Sequence, residues 1–90
     1  MSVVWIPQVL RAQAGGNKQV ELTGGTVREV VDALSERYPS LRAQLLTDGG
    51  ELNRFVNVYV NGQDVRYLAG LATEVAKGDE VRILPAMAGG

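Results

Sequence analysis

The sequence of 90 residues contains neither cysteine nor histidine. The absence of cysteine excludes disulfides, thiolate nucleophiles and cysteine-type zinc sites. The absence of histidine removes the side chain that most often carries general acid–base catalysis near neutral pH. The carboxylates are scattered among polar positions and turns, as on a solvated surface, and form no evident metal-ligand cluster. We therefore expect no catalytic residues and no metal site in this chain.

A strong charge of one sign is also missing, because nine basic side chains face ten acidic ones and leave a net charge of −1. Nucleic-acid binding and polybasic membrane contact both need a basic surface, and we expect neither. The longest apolar runs are four or five residues, too short to span a bilayer. The first residues lack the basic leader and apolar region of a signal peptide. We predict one cytoplasmic domain that acts as a carrier, a modifier or a binding module.

The first half of the chain predicts a β-hairpin followed by a helix. Residues 3–10 are rich in β-branched and aromatic residues, residues 19–23 alternate in polarity, and a turn lies between them. Thr26 and Glu29 have the spacing of a capping box, and an apolar stripe at helical spacing follows. Pro39 closes the helix, and Ser40 is the candidate cap of a short second helical turn.

The second half predicts further strands of the same sheet. Residues 55–60 form the clearest strand, and Asn61-Gly62 is the strongest hairpin signal in the chain. A short return strand is expected through residues 65–68, and a last strand over residues 81–84, stopped by Pro85. The order β-β-α-β-β-β predicts an α+β domain over residues 1–85, with a mixed sheet of four to five strands and one main helix on one face. Residues 86–90 form a tail.

That tail is the first candidate for chemistry. Its residues, Ala86, Met87, Ala88, Gly89 and Gly90, are small or flexible apart from the methionine. Fully extended, they reach about 17 Å, enough to thread a narrow channel in a partner enzyme. Because glycine has no Cβ, the ionised terminal carboxylate is open to close approach and can attack the α-phosphate of ATP on a partner. A frayed end or a cloning remnant has the same sequence, so the tail alone leaves both interpretations open.

The second candidate is the sheet face turned away from the helix. If the valines of strand 55–60 face the helix, alternation places large side chains on the opposite face of three strands. The predicted outward residues are Trp5, Phe55, Tyr59, Arg82 and Leu84. Aromatic residues and arginine are enriched in protein interfaces, so we predict that this face docks a partner protein. The alternative is that a loop or the Leu41–Leu46 segment covers it.

Two stretches, RFVNVYVNGQDVR and GDEVRILPAMAGG, resemble the sulfur carriers of the ThiS/MoaD family, most closely the CysO branch. The resemblance extends over essentially the whole chain and implies the ubiquitin-like β-grasp fold. In this family a partner adenylates the terminal carboxylate with ATP, and a sulfur source then displaces AMP to leave a thiocarboxylate. The resemblance therefore implies that Gly90 is the modified residue and that residues 86–89 enter the active sites of partner enzymes.

The same resemblance implies that the carrier binds no cofactor, since ATP is used by the adenylating or sulfurtransferase partner. It also implies a sulfur acceptor, either a pyridoxal-phosphate-dependent cysteine synthase acting on O-phosphoserine or a thiazole-synthase-like enzyme. A metalloprotease would then release the new cysteine. Three alternatives stay open: a ubiquitin-like modifier of lysines, a small subunit of a molybdopterin-synthase-type complex, and a binding module in which the tail has no role.

Overall fold

One mixed sheet of five strands organises residues 1–85, which are the residues that the computed structural model describes. The strands are β1 (Ser2–Trp5), β2 (Gln19–Leu22), β3 (Val56–Val60), β4 (Gln63–Asp64) and β5 (Glu80–Pro85). Their spatial order is β2-β1-β5-β3-β4. β5 runs parallel to β1, and the other neighbouring pairs are antiparallel. The predicted α+β fold with a mixed sheet is confirmed, and its last strand lies at the centre of the sheet.

The main helix, α1 (Val27–Arg37), begins at the predicted capping residues. The backbone N–H of Glu29 donates to Thr26 Oγ1 at 3.2 Å, and the Glu29 carboxylate accepts from the Gly25 N–H at 2.6 Å. The carboxylate thus reaches one residue further back than in a standard capping box. The apolar stripe of α1 is buried in the core. This stripe comprises Val27, Val30, Val31 and Leu34.

The second helix, α2 (Pro39–Leu45), packs against α1 and buries Leu41 and Leu45. Tyr38, not Ser40, precedes its first residue, so the predicted serine cap is wrong. Pro39 occupies the first turn, where its fixed φ angle suits a helix and its missing N–H leaves no bond unmade. Because Leu41, Leu45 and Leu46 all belong to the buried core, this segment does not lie as a cover over the opposite sheet face.

Two segments predicted as strand are helical. Residues 8–10 belong to a 3₁₀ helix over Gln8–Ala14, because Pro7 cannot donate to the ladder and its carbonyl instead accepts from the Leu10 N–H at 2.9 Å. The predicted return strand is limited to β4, and Val65–Tyr67 form another 3₁₀ helix. That helix starts where the Arg66 N–H donates to the Asp64 carboxylate at 2.9 Å.

The Asn61-Gly62 hairpin is confirmed: both residues have positive φ angles, 50° and 86°, as a two-residue turn of this type requires. Beneath the sheet, Val4, Val58, Val81 and Ile83 alternate inward and pack with the helices. None of the helices in residues 1–85 is long and apolar enough to cross a bilayer. The predictions for Ala86–Gly90 lie outside the described residues.

Candidate docking face and tail root

Three of the predicted outward residues lie in one row across the centre of the sheet. Trp5 of β1 is in register with Arg82 of β5, and Arg82 is in register with Tyr59 of β3. Because directly opposite residues in neighbouring strands project to the same face, the three side chains are neighbours on that face. We call this set the central row. Sequence alternation alone identified its members, and the strand register brings them together.

Arg82 holds the central row in a defined geometry. Its guanidinium carbon lies 4.9 Å from the centre of the Trp5 ring, within the range of a cation–π interaction. Its Nε donates to Glu80 Oε1 at 2.7 Å. Both contacts are on the surface, so each contributes modestly to stability. Their main consequence is that a tryptophan face and a guanidinium are presented together in a fixed arrangement.

The other two predicted residues lie where β5 ends. Leu84 is in register with Asn57, and Phe55 immediately precedes β3. Phe55 is 58% exposed and Leu84 is 41% exposed, both high for large apolar side chains. Together with Pro85 they line one concavity. We call this concavity the tail-root groove, because Pro85 is the residue from which the C-terminal segment continues.

Sequence analysis missed Val9, which lines the tail-root groove, and two arginines that contact other residues of its lining. Val9, on the 3₁₀ helix after Pro7, lines the groove and is 71% exposed. Arg54 places its guanidinium carbon 5.0 Å from the centre of the Phe55 ring. Arg66 donates to the carbonyls of Asn53 and Val56, at 3.1 and 2.8 Å, and to the side chain of Asn57.

One signal for Val9 was present in the sequence, since a strand that meets a proline is expected to stop there. No comparable local signal marks Arg54 or Arg66, because their positions depend on the folded arrangement of β3 and its neighbours.

Hydrogen bonds of Asp79 and Glu80 fix the other end of β5. The Oδ2 atom of Asp79 accepts from the Ala76 N–H at 2.8 Å. The N–H of Glu80 donates to Asn61 Oδ1 at 2.9 Å. The bond from Ala76, followed by a bond from the Asn61 side chain, lowers the pKa of the Asp79 carboxyl below its usual value. This turn therefore sets where the central strand begins.

A mixed sheet with a helix across one face, and with the last strand at its centre, defines the ubiquitin-like β-grasp class of proteins. Within that class the chain belongs to the ThiS family, whose family model matches residues 4–90. The chain is 47% identical to the sulfur carrier protein CysO of Mycobacterium tuberculosis over 89 residues, which cover 97% of this chain and 96% of that protein.

Two solved structures extend the comparison. A chain in the crystal structure of the Amycolatopsis orientalis BexX/CysO complex is 47% identical, with a TM-score of 0.92 and complete coverage of both chains. The solution structure of small archaeal modifier protein 1 from Methanosarcina acetivorans is 33% identical, with a TM-score of 0.87, and the match covers 99% of this chain and 95% of that one. The expected family and the β-grasp fold are thus confirmed.

Proposed function

We propose that this chain is a sulfur carrier in which the C-terminal carboxylate of Gly90 is converted to a thiocarboxylate. The observation that carries the proposal is where the fold ends. β5, the central strand, ends at Pro85, and only three residues separate that fixed point from the Gly89-Gly90 pair. Membership of the ThiS family and 47% identity to a protein named as a sulfur carrier support the same function.

The chemistry divides between the carrier and its partners. A carboxylate oxygen of Gly90 attacks the α-phosphorus of ATP, the bond to the β-phosphate breaks, and pyrophosphate leaves. A sulfide-equivalent nucleophile then adds to the acyl carbon, and AMP leaves with the oxygen that joined it to the carbonyl. The product is a thiocarboxylate in which one oxygen has been replaced by sulfur. The carrier supplies the acyl group, and the partner enzyme supplies the ATP site and the catalytic groups.

The folded part of the carrier positions the C-terminal tail in the active site of the partner. We propose that the central row, Trp5, Arg82 and Tyr59, docks the adenylating partner, with Phe55 and Leu84 nearer the tail. Residues 86–89 then thread the active site of that partner. Binding through a preformed surface makes the reaction at Gly90 effectively intramolecular, which removes much of the entropic barrier. The complex of BexX with CysO is a precedent for a carrier bound to another protein.

For the sulfur acceptor we propose a pyridoxal-phosphate-dependent cysteine synthase that uses O-phosphoserine, followed by release of cysteine by a metalloprotease. The similarity to CysO favours this acceptor over a thiazole-synthase-like enzyme. Adding the thiocarboxylate carrier and O-phosphoserine to each purified synthase, and following cysteine-linked carrier by mass spectrometry, distinguishes the two. Sulfur transfer to the thiazole-type enzyme alone would contradict the proposed acceptor.

The central test is the intact mass of the carrier. Incubation with ATP, sulfide and an adenylating partner should increase the mass by about 16 Da, the difference between sulfur and oxygen. Deletion of Gly89 and Gly90 should abolish the gain without changing the melting temperature. An unchanged mass, with an enzyme that demonstrably adenylates a known carrier of this family, would contradict the proposal.

Similarity to small archaeal modifier proteins favours a second candidate, attachment to lysines of other proteins. The same acyl-adenylate can react with an amine, and AMP then leaves as an isopeptide bond forms. Expression of the tagged carrier, followed by mass spectrometry of cellular proteins, measures this directly. Trypsin cleaves this chain for the last time after Arg82, so remnants of residues 83–90 on target lysines that depend on the last two residues would establish modification. Their absence, together with formation of the thiocarboxylate, would favour sulfur transfer alone.

A further inference from the structure

The Asn61-Gly62 turn carries a reactive pair of residues that the proposed function does not use. The chain has four asparagines, and only Asn61 is followed by glycine. Because glycine has no Cβ, its backbone nitrogen is open to close approach by the side chain of the residue before it. Both residues are exposed, and apart from its chain neighbours no atom lies within 4 Å of the place where a Cβ on Gly62 would stand. Water therefore has access to this pair.

The reaction open to this pair is deamidation, which consumes only water. The Gly62 nitrogen bonds to Cγ of Asn61, the bond from Cγ to the side-chain nitrogen breaks, and ammonia leaves with the proton of the Gly62 amide. Water then opens the resulting five-membered imide at either carbonyl. The product is an aspartate or an isoaspartate in place of the asparagine, and the chain is heavier by about 1 Da.

The folded turn holds the pair in an unreactive arrangement. Asn61 has a φ of 50°, in the left-handed region, where ψ is typically about +47°. At that ψ the Gly62 nitrogen lies nearly opposite Cβ about the Cα–C bond, so it cannot reach Cγ. Rotation into a reactive arrangement would disturb the two bonds that Asn61 makes with Glu80. The N–H of Asn61 donates to the Glu80 carbonyl at 2.8 Å, and its Oδ1 accepts from the Glu80 N–H at 2.9 Å.

A carboxylate at position 61 would face a second carboxylate. The pKa of the Asp79 carboxyl is lowered first by the bond from the Ala76 N–H and then by a bond from the Asn61 side chain. Since Oδ1 of Asn61 accepts from Glu80, its side-chain NH₂ group is the donor to Asp79. Deamidation replaces this donor with a negative charge. Within residues 1–85 neither ion pair includes Asp79, so no cation at ion-pairing distance offsets the repulsion.

We propose that Asn61 is a deamidation site that the native turn protects, and that the carboxylate left by the reaction weakens the attachment of the hairpin to the start of β5. The reaction then proceeds when the β3–β4 hairpin separates from β5. Its product cannot restore the bond to Asp79, so the start of the central strand is loosened by a chemical step that refolding does not reverse. This inference is independent of sulfur transfer.

The first experiment locates the reaction and measures its rate. Trypsin releases residues 55–66 as one peptide that contains both Asn61 and Asn57, so the second asparagine is a control within the same peptide. The full chain is incubated in mildly alkaline buffer with and without guanidinium chloride, and fragment mass spectrometry locates the gain of about 1 Da. In denaturant Asn61 should react much faster than Asn57, which is followed by a β-branched valine. In the folded chain the reaction at Asn61 should be at least about tenfold slower, because it waits for local opening.

The second experiment uses Asn61→Asp, which introduces the carboxylate directly. Its melting temperature at pH 7 should fall by about 5 °C, a shift typical of one lost contact in a domain of this size. The double variant Asn61→Asp with Asp79→Asn exchanges the amide and the carboxylate, so that a donor again faces an acceptor. It should return the melting temperature to within about 2 °C of wild type. Asn57→Asp, which adds the same charge beside Arg66, is the matched control and should not lower the melting temperature.

Equal rates at Asn61 in the folded and the denatured chain would overturn the proposed protection, and no reaction in either would overturn the site. An unchanged melting temperature in Asn61→Asp, or a double variant no more stable than Asn61→Asp alone, would overturn the part assigned to the Asp79 carboxylate. If Asn61→Asp does not fold, recovery of the fold in the double variant supports the inference, and failure to recover it overturns the inference.

Discussion

The two faces of the central sheet are built from the same alternating strands but differ in what they bury. The inner face presents Val4, Val58, Val81 and Ile83 to α1, and all four are buried. The outer face presents the central row of Trp5, Arg82 and Tyr59, which is only partly covered. The difference assigns stability to one set of residues in each strand and leaves the alternate set free for the docking that we propose. Substitutions on each face should therefore affect different measurements.

The largest expected effect is on the inner face. Leu34→Ala removes a side chain of α1 that is fully buried, and should lower the free energy of unfolding by about 2–5 kcal/mol through lost burial and the remaining cavity. Urea denaturation followed by circular dichroism measures the change. Leu68→Ala, at an exposed position, is the control and should shift the midpoint far less. Similar losses at both positions would contradict the assignment of α1 to the core.

The next effect belongs to the outer face and should appear in binding. Tyr59→Ala should weaken binding to the adenylating enzyme about thirtyfold, as expected for a buried interface aromatic worth about 2 kcal/mol. Its effect on folding should stay below about 1 kcal/mol, the range for one cross-strand pair. Titration calorimetry and urea denaturation give the two quantities.

Tyr67→Ala is the matched control for Tyr59, because Tyr67 is 88% exposed and lies outside the central row. It should leave both binding and folding near wild type. If Tyr59→Ala destabilised the fold as much as it weakened binding, Tyr59 would belong to the core and not to a docking face.

The sequence predicted which residues lie on each face of the sheet, because successive side chains of a β-strand point to opposite faces. The valines of residues 56–60 predicted an inner face, and Trp5, Tyr59 and Arg82 were predicted to lie opposite it; strand register then placed these three in one row. The capping residues of α1 and the Asn61-Gly62 turn were also predicted, since each is a local hydrogen-bonding or backbone requirement.

What the sequence did not predict depends on contacts between distant segments. Val9 was assigned to a strand although Pro7 ends that strand, and its place beside Leu84 follows from the parallel pairing of β1 and β5. Arg66 lies next to β3 only because the Asn61-Gly62 hairpin reverses the chain and the 3₁₀ helix capped by Asp64 then follows β4. The tail-root groove could therefore not be assembled from local patterns.

A smaller effect is expected at Arg82, whose side chain holds the Trp5 ring of the outer face in place. Arg82→Gln removes the cation–π contact with Trp5, worth about 0.5–1 kcal/mol at an exposed site. Affinity for the adenylating enzyme should fall about threefold. The emission of Trp5, the single tryptophan in the chain, should change in the free carrier because its ring loses the adjacent charge. Arg37→Gln is the control, and an unchanged emission in Arg82→Gln would show that the contact is not populated in solution.

The smallest effect concerns Asp79, which belongs to neither face but fixes the start of the strand that carries both. Its lowered pKa means that the native state favours the ionised carboxylate. The resulting stability is present above the usual carboxyl pKa of 3.8 and is lost as the pH falls through the lower native value. Asp79→Asn should therefore lower the melting temperature slightly at pH 6, and the difference from wild type should shrink as the pH falls below 3.8.

A constant difference from pH 6 to strongly acid solution would show that the charge of Asp79 has no part in holding β5. Binding to the adenylating enzyme at pH 7 should be the same for both proteins, since this turn lies at the end of β5 away from the tail-root groove.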